Sequence, residues 1–500
     1  MTLSVSRYHG LILVSIGSLC AFLSLVYAAL WFLAPVGLGL FFYALLYDTK
    51  NSWHACGFGL LFGLVVSAAG VWWFWDTIPL NWLNLSPVTG WWAVFITWAL
   101  VVTWTAPATA LFAVVVRNIH KRIPPETIPI LIPLLWLLQE QGRMWGFALL
   151  TLAPQSLFGA HFSATSLAYA LAENHYVLQL AAFGGIANLE FALGVIGMCI
   201  ALLVRSLSIH RYPFSLYIAF TLLFFLMLLP LGAAKVPAGG KPMTFALITA
   251  DTSINDTTDK TNLYAQILDD MGHKGEHPDV IVYPEGNGLD ESLRDQTARK
   301  AALQKLFGTT ELLVVSSNSI HQGALQHETL FYESSTRGTL GSYNKIFLMP
   351  QGEYTPLLVG AIYGILQSDE VTKYLKNISN IIVRGNTLSA VPYKGTTLAG
   401  LLCSESLSPQ LYHSLATTYH ARVLLNLSNA TWFRDSRVLY EREKQFAKVH
   451  AVQDRVFFLQ ASNGAPSFAV DPSGTLVSQS PWHFTGAWNV IINPAESSPL

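Results

Sequence analysis

The chain has 500 residues, of which 52% are hydrophobic and 12% charged, with a formal net charge of −1. A soluble domain carries about 25% charged residues, so a wholly soluble chain is excluded, and near-neutrality removes the electrostatic case for nucleic acid as a partner. The charge deficit falls almost entirely before residue 234, which divides the chain into a membrane half (1–232), a linker with Lys235, Pro237 and Pro242 (233–242) and a globular half (243–500).

A helix needs roughly 20 apolar residues to cross a bilayer core. In chain order the expected spans are 10–30, 31–47, 54–75, 91–116, 128–138 with its flanks, 176–204 and 213–232. That makes about seven, the fifth being the shortest apolar run. The first apolar run exceeds the roughly 7–15 residues of a signal-peptide core and is expected to be retained. Arg7, Lys50, the Arg117/Lys121/Arg122 group and Arg205/Arg211 fall on alternate loops, with only Arg143 opposing them. The positive-inside rule then places the N-terminus in the cytoplasm and, with an odd number of spans, the globular half outside. In a bacterium that is the periplasmic face of the inner membrane. The tryptophans at 72, 73, 75, 82, 91 and 92 are expected to anchor at the lipid interface. Residues 139–174 are too polar to span and are expected to lie along the outer interface.

In the globular half, apolar runs of strand length at 243–249, 279–283, 311–317, 397–402, 421–427 and 455–460 alternate with helical patterns at 262–271, 292–307, 407–417 and 437–452. A hairpin is expected from 331–333 and 339–343 around Arg337-Gly338, and a second around the turn at 471–474, flanked by 468–470 and 475–477. Repeated strand–helix units with buried strands make an α/β sandwich, and strand C-terminal ends are where its reactive residues are expected.

Cys403 ends one such strand and is the only cysteine of the globular half; Cys20, Cys56 and Cys199 lie in apolar stretches. A buried structural cysteine is the common alternative, but an unpaired thiol in an oxidising compartment needs a reason. Glu285, after Tyr283-Pro284, is placed to accept the thiol proton. Lys345, held in the apolar run that reaches Pro350, is placed to stabilise a thiolate or an oxyanion. Glu353 is either an ordinary loop acid or a partner of Lys345 or of an acceptor amine. A thiol, a base and a cation are the parts of a thioester-forming acyl-transfer site. The histidines show no ligand spacing, so no metal is expected, nor any other cofactor.

Glu285, Lys345 and Cys403, in that order, resemble the Glu-Lys-Cys triad of the nitrilase superfamily. Tyr343-x-Lys345 followed by Pro350-x-Gly352-Glu353-Tyr354-x-Pro356, and the segment 426–433 containing Asn429 and Trp432, resemble the version found in apolipoprotein N-acyltransferases. The resemblance covers most of the chain. It implies a polytopic helical membrane domain plus a nitrilase-like α-β-β-α sandwich. It also implies a monomer that transfers a phospholipid acyl chain, through a Cys403 thioester, to the N-terminal amine of a diacylated lipoprotein. Glu353, Tyr354, Glu405, Asn429 and Trp432 are then supporting or substrate-binding residues. The chain departs from the family pattern at Ser404 (usually Tyr), at Tyr283 (usually Trp), at Thr249-Ala250-Asp251 (usually Gln-Gly-Asn) and in having no apolar segment after Trp488. A relative acting on another amine or amide, or a non-catalytic lipid- or lipoprotein-binding homologue, is the alternative.

Overall fold

The computed structural model describes residues 5–80, 83, 85–210, 213–232, 239–252, 260–286, 301, 304–305, 308, 311–323, 325–365 and 382–496. The chain divides into two compact units: Met1–Trp75, Val94–Leu150 and Phe158–Ala234 form the first, and Asp76–Ala93, Thr151–Leu157 and Lys235–Leu500 the second. Most of the expected helix at 292–307, most of the linker, Trp82 and Arg211 lie outside the described residues.

The first unit is helical: α1 (Val5–Val26), α2 (Leu33–Tyr43), α3 (Ser52–Gly70), α4 (Pro87–Ile119, whose first turns belong to the second unit), α5 (Ile128–Leu150), the single turn α6 (His175–Leu178), α7 (Gly185–Ile209) and α8 (Phe214–Gly232). Among the described residues, four helical segments are long and apolar enough to cross a membrane, namely Tyr8–Val26, Ser52–Gly70, Pro87–Ile119 and Gly185–Ile209; Leu33–Asp48 and Phe214–Leu228 are apolar but shorter. The chain is a membrane protein. The expected span at 176–204 is broken, because Gly184 and Gly185 interrupt the helix and Gly185 sits at φ +60°.

Residues 139–174 differ from the expectation. Gln139, Glu140 and Arg143 continue α5 and are buried, so Arg143 is not a loop cation. Arg143 Nη1 donates to Glu140 at 2.9 Å, Trp136 Nε1 donates to Glu190 of α7 at 3.2 Å, and Ser166 also donates to Glu190. A helix with so polar a stretch stays folded because these groups satisfy one another away from lipid. Leu167–Glu173 is a 3₁₀ helix in which residues 167–172 are buried.

The second unit holds two six-stranded sheets. The first runs in the order β12-β1-β2-β3-β4-β5, with β1 (Met243–Thr249), β2 (Val280–Val282), β3 (Leu313–Gln322), β4 (Leu325–Ser334), β5 (Gly338–Asn344) and β12 (Gly486–Ile492). The second runs β11-β10-β9-β8-β7-β6, with β6 (Val391–Tyr393), β7 (Thr396–Leu402), β8 (Val423–Asn429), β9 (Phe457–Asn463), β10 (Phe468–Val470) and β11 (Leu476–Gln479). β1, β2 and β3 are parallel, as are β7, β8 and β9.

Strand side chains alternate between faces. Ala246, Ile248, Ile281 and Val314 meet Tyr264, Ile267, Leu268 and Met271 of α9 (Lys260–His273). The opposite faces pack sheet on sheet: the Gly400 N–H of β7 donates across to Tyr332 Oη of β4 at 2.6 Å, and Thr249 Oγ1 lies 2.5 Å from Ser467 Oγ. A Cβ on Gly400 would come within 2.8 Å of Leu330 Cδ1, so that side chain would have to shift to admit one. Two further helices, α11 (Pro409–Thr417) and α12 (Arg437–Asp454), pack together beside the second sheet, where Tyr412 and His450 contact Phe458 of β9. The short α10 (Leu357–Ile365) follows the Tyr354 loop. The result is an α-β-β-α sandwich.

Candidate active site

Three loops leaving strand ends meet in the second unit. Cys403 follows β7 and opens the 3₁₀ turn Cys403–Leu407 with φ +42°. A side chain in the left-handed region costs strain of order 1–3 kcal/mol. The turn lifts the thiol off the sheet end, as nucleophile elbows do. Glu285 follows β2 and Pro284, and the turn is completed by Gly286 at φ +70°. Its backbone N–H reaches the Ser428 carbonyl at 3.4 Å, while Gly286 N–H donates to Ser317 Oγ at 2.9 Å.

Lys345 follows β5 and is 2% exposed. Its Nζ donates to Glu285 Oε1 at 2.7 Å and to Glu353 Oε1 at 2.8 Å. The second Glu353 oxygen accepts the Met349 N–H at 2.6 Å, which fixes the loop between them. Cys403 lies within electrostatic reach of both Glu285 and Lys345, and a backbone hydrogen bond from Asn429 reaches its thiol.

Burial and then the Glu285 charge push the Cys403 thiol well above its ordinary range, with Lys345 and Asn429 pulling it partly back. Burial disfavours the Lys345 ammonium, but the attraction of Glu285 and Glu353 outweighs it and raises the group. Burial likewise raises Glu353, against the pull of Lys345. The resting site is therefore a thiol beside a firmly held ammonium. Alkylation of Cys403 by iodoacetamide is expected to be slow at pH 7 and to accelerate through the alkaline range, because a raised thiol yields its thiolate only at higher pH. Peptide mass spectrometry at Cys403 reads this, and a rate already at its plateau at pH 7 contradicts the assignment.

Glu405 is fully buried, and its role is structural at close quarters. Its Oε1 accepts from Ile346 N–H at 2.9 Å, from Phe347 N–H at 3.0 Å and from the Tyr343 hydroxyl; its Oε2 accepts from Leu402 N–H at 2.9 Å. Leu402 precedes the thiol and Ile346 follows the ammonium, so one carboxylate ties the two loops together. Burial raises Glu405, and the Phe347 N–H and the Tyr343 hydroxyl oppose this.

The remaining sequence candidates take different places. Tyr354 is buried and donates to the Thr151 carbonyl at 3.0 Å, packing on Ala153 and Leu348, so it fastens the 151–157 segment. The Asn429 side chain caps the next turn through Thr431, and it is the backbone of Asn429 that faces Cys403. Trp432 is half-buried on that turn. Ser404 Oγ donates to the Phe347 carbonyl at 3.1 Å. Sequence reasoning missed Glu443 of α12, which lies near the thiol but is set in an unremarkable charged helix. Asp251, Asp435 and His483 gather from three separate segments as an exposed group among the described residues, where His483 and Asp251 form an ion pair at 3.2 Å.

Comparison with known proteins bears on both halves. Residues 17–199 match the family model of the apolipoprotein N-acyltransferase N-terminal domain. An apolipoprotein N-acyltransferase of Pseudomonas putida is 25% identical over 476 residues, spanning 90% of this chain and 84% of the relative. Over most of its length the chain is similar to apolipoprotein N-acyltransferases. A further apolipoprotein N-acyltransferase, from Geobacter metallireducens, is 24% identical over 387 residues, covering 74% of this chain and 70% of its own. An amidase of the nitrilase superfamily from Nesterenkonia is similar in structure to 52% of this chain and 94% of its own, at 15% identity and a TM-score of 0.36. As an apolipoprotein N-acyltransferase relative, the chain carries Tyr283 against Tyr264 of α9, with ring centroids 5.7 Å apart. Its Ser404 binds the Lys345 loop.

Proposed function

We propose that the chain moves a fatty acyl chain from a phospholipid to the N-terminal amine of a diacylated lipoprotein, through a thioester on Cys403. Glu285 takes the thiol proton, and the sulfur attacks the ester carbonyl. The Lys345 ammonium neutralises the oxyanion as the tetrahedral intermediate forms. The lysophospholipid alkoxide leaves with the proton from Glu285. In the second half-reaction the incoming amine attacks the thioester carbonyl while Glu285 takes its proton; the C–S bond breaks as the amide forms, and Glu285 returns the proton to the sulfur. Glu353 holds Lys345 in place through both steps. The apolar helices keep the site at a membrane, where both substrates reside. The charge pattern of the loops supports an inner-membrane location with the catalytic half on the periplasmic face.

The observation that carries this reading is the Cys403 elbow beside an ammonium held by two carboxylates, at 2.7 and 2.8 Å. Purified protein incubated with labelled phospholipid is expected to gain the mass of one acyl chain on Cys403, and a diacylated lipopeptide is expected to discharge it. No adduct, or an adduct that survives in Cys403→Ser, overturns the proposal. An adduct discharged by small amines and not by the lipopeptide would point instead to another acceptor.

A further inference from the structure

Glu443 lies in the middle of α12, 6% exposed. Its partners are neutral: Oε1 accepts from Ser428 Oγ at 3.3 Å, and Oε2 from Gln460 Nε2 at 2.8 Å. Gln460 is itself oriented, since its Oε1 accepts from Asn426 Nδ2 at 2.9 Å. A buried carboxyl hydrogen-bonded to neutral groups is costly to retain in its ionised form. What it holds explains its place. The Ser428 carbonyl accepts the Glu285 N–H at 3.4 Å, and the following N–H, that of Asn429, bonds the Cys403 thiol. A single peptide unit thus touches both the proposed base and the proposed nucleophile, and Glu443 grips the side chain at its head.

We propose that Glu443 is a positioning residue for the acyl transfer described above: by holding Ser428 it aims the Ser428–Asn429 peptide, and so sets the placement of the Cys403 sulfur against Glu285. This rests on the acyltransfer reading for its consequence, but not for its geometry. Burial raises the Glu443 carboxyl to about 7, with Gln460 and Ser428 opposing the shift. Near neutral pH it therefore carries a proton for much of the time, which keeps negative charge away from the sulfur. Its charge is felt by Cys403, by Tyr412 of α11 and by Tyr440 of its own helix; Arg442 and Lys444 flank it in sequence on α12.

The test compares wild type, E443A and E443Q in the full-length detergent-solubilised protein. Iodoacetamide alkylation of Cys403 is followed against pH without substrate, and acyl-adduct formation is followed with labelled phospholipid. E443Q mimics the protonated acid, so its thiol titration midpoint is expected to fall by about one unit relative to wild type above neutral pH. E443A is expected to slow adduct formation about 10- to 100-fold through misplacement of the sulfur, and E443Q to restore most of that rate. Identical thiol titrations in wild type and both variants overturn the proposal. Unslowed adduct formation in E443A does the same. If wild type forms no adduct at all, the acyltransfer reading fails, and the substrate-free titration still decides the link between Glu443 and the thiol.

Discussion

Lys345→Met is expected to reduce thioester formation by about 10⁴-fold or more. Loss of a single oxyanion donor costs about 10²–10³ in rate. Here the same atom also neutralises two carboxylates, and its removal leaves Glu285 and Glu353 facing one another in a largely buried place. One of the two then retains a proton, as like-charged carboxyls do when they share a site. A proton on Glu285 removes the base, and the thiol loses its nearest positive charge and rises further. Both effects act in the same direction. The measurement is labelled-phospholipid transfer to Cys403 in Lys345→Met against wild type, with circular dichroism to show that the fold persists. A rate within tenfold of wild type would sink the assigned role.

Glu405→Ala is expected to destabilise the second unit by about 3–5 kcal/mol. The substitution removes the buried carboxylate that accepts from the Ile346, Phe347 and Leu402 N–H groups and the Tyr343 hydroxyl, leaving Ile346 N–H only its 3.0 Å bond to Tyr343 Oη among the described contacts. For a domain of this size that corresponds to a fall in thermal midpoint of roughly 10 °C. Activity is expected to fall more steeply than folded population, because the Leu402 and Ile346 peptides are the ones that set Cys403 and Lys345 side by side. Glu405→Gln keeps an acceptor oxygen and is expected to lose less. A thermal midpoint unchanged in Glu405→Ala would show that the clamp contributes nothing.

Several elements were legible because their burial is written in composition. β1, at 243–249, and β10, at 468–470, match the apolar runs, and β7 ends where the run before Cys403 ends. Strands buried on both faces leave no room for polar residues, so their limits are visible. β12 was not legible: its exposed Ile491 and polar Asn489 break the run, and it joins the sheet by pairing antiparallel with β1 from more than 200 positions away. The expected break at Leu138 failed for a related reason. Gln139, Glu140 and Arg143 look like the end of a span, and only their bonds to one another, with Glu190 alongside on α7, make a buried helix of them.

The amino-acid order alone determined the contrast between an apolar half and a polar half, the alternation of strand and helix, and the three residue types of the site. Those properties depend on local hydrophobicity and on which side chains can ionise. Only folding in three dimensions decided that one ammonium lies between two carboxylates, that Glu405 joins loops some 60 residues apart, and that Glu443 lies beneath Ser428. Each of those depends on strand register and on which loops a sheet brings to the same end, and neither is encoded in any short stretch of chain.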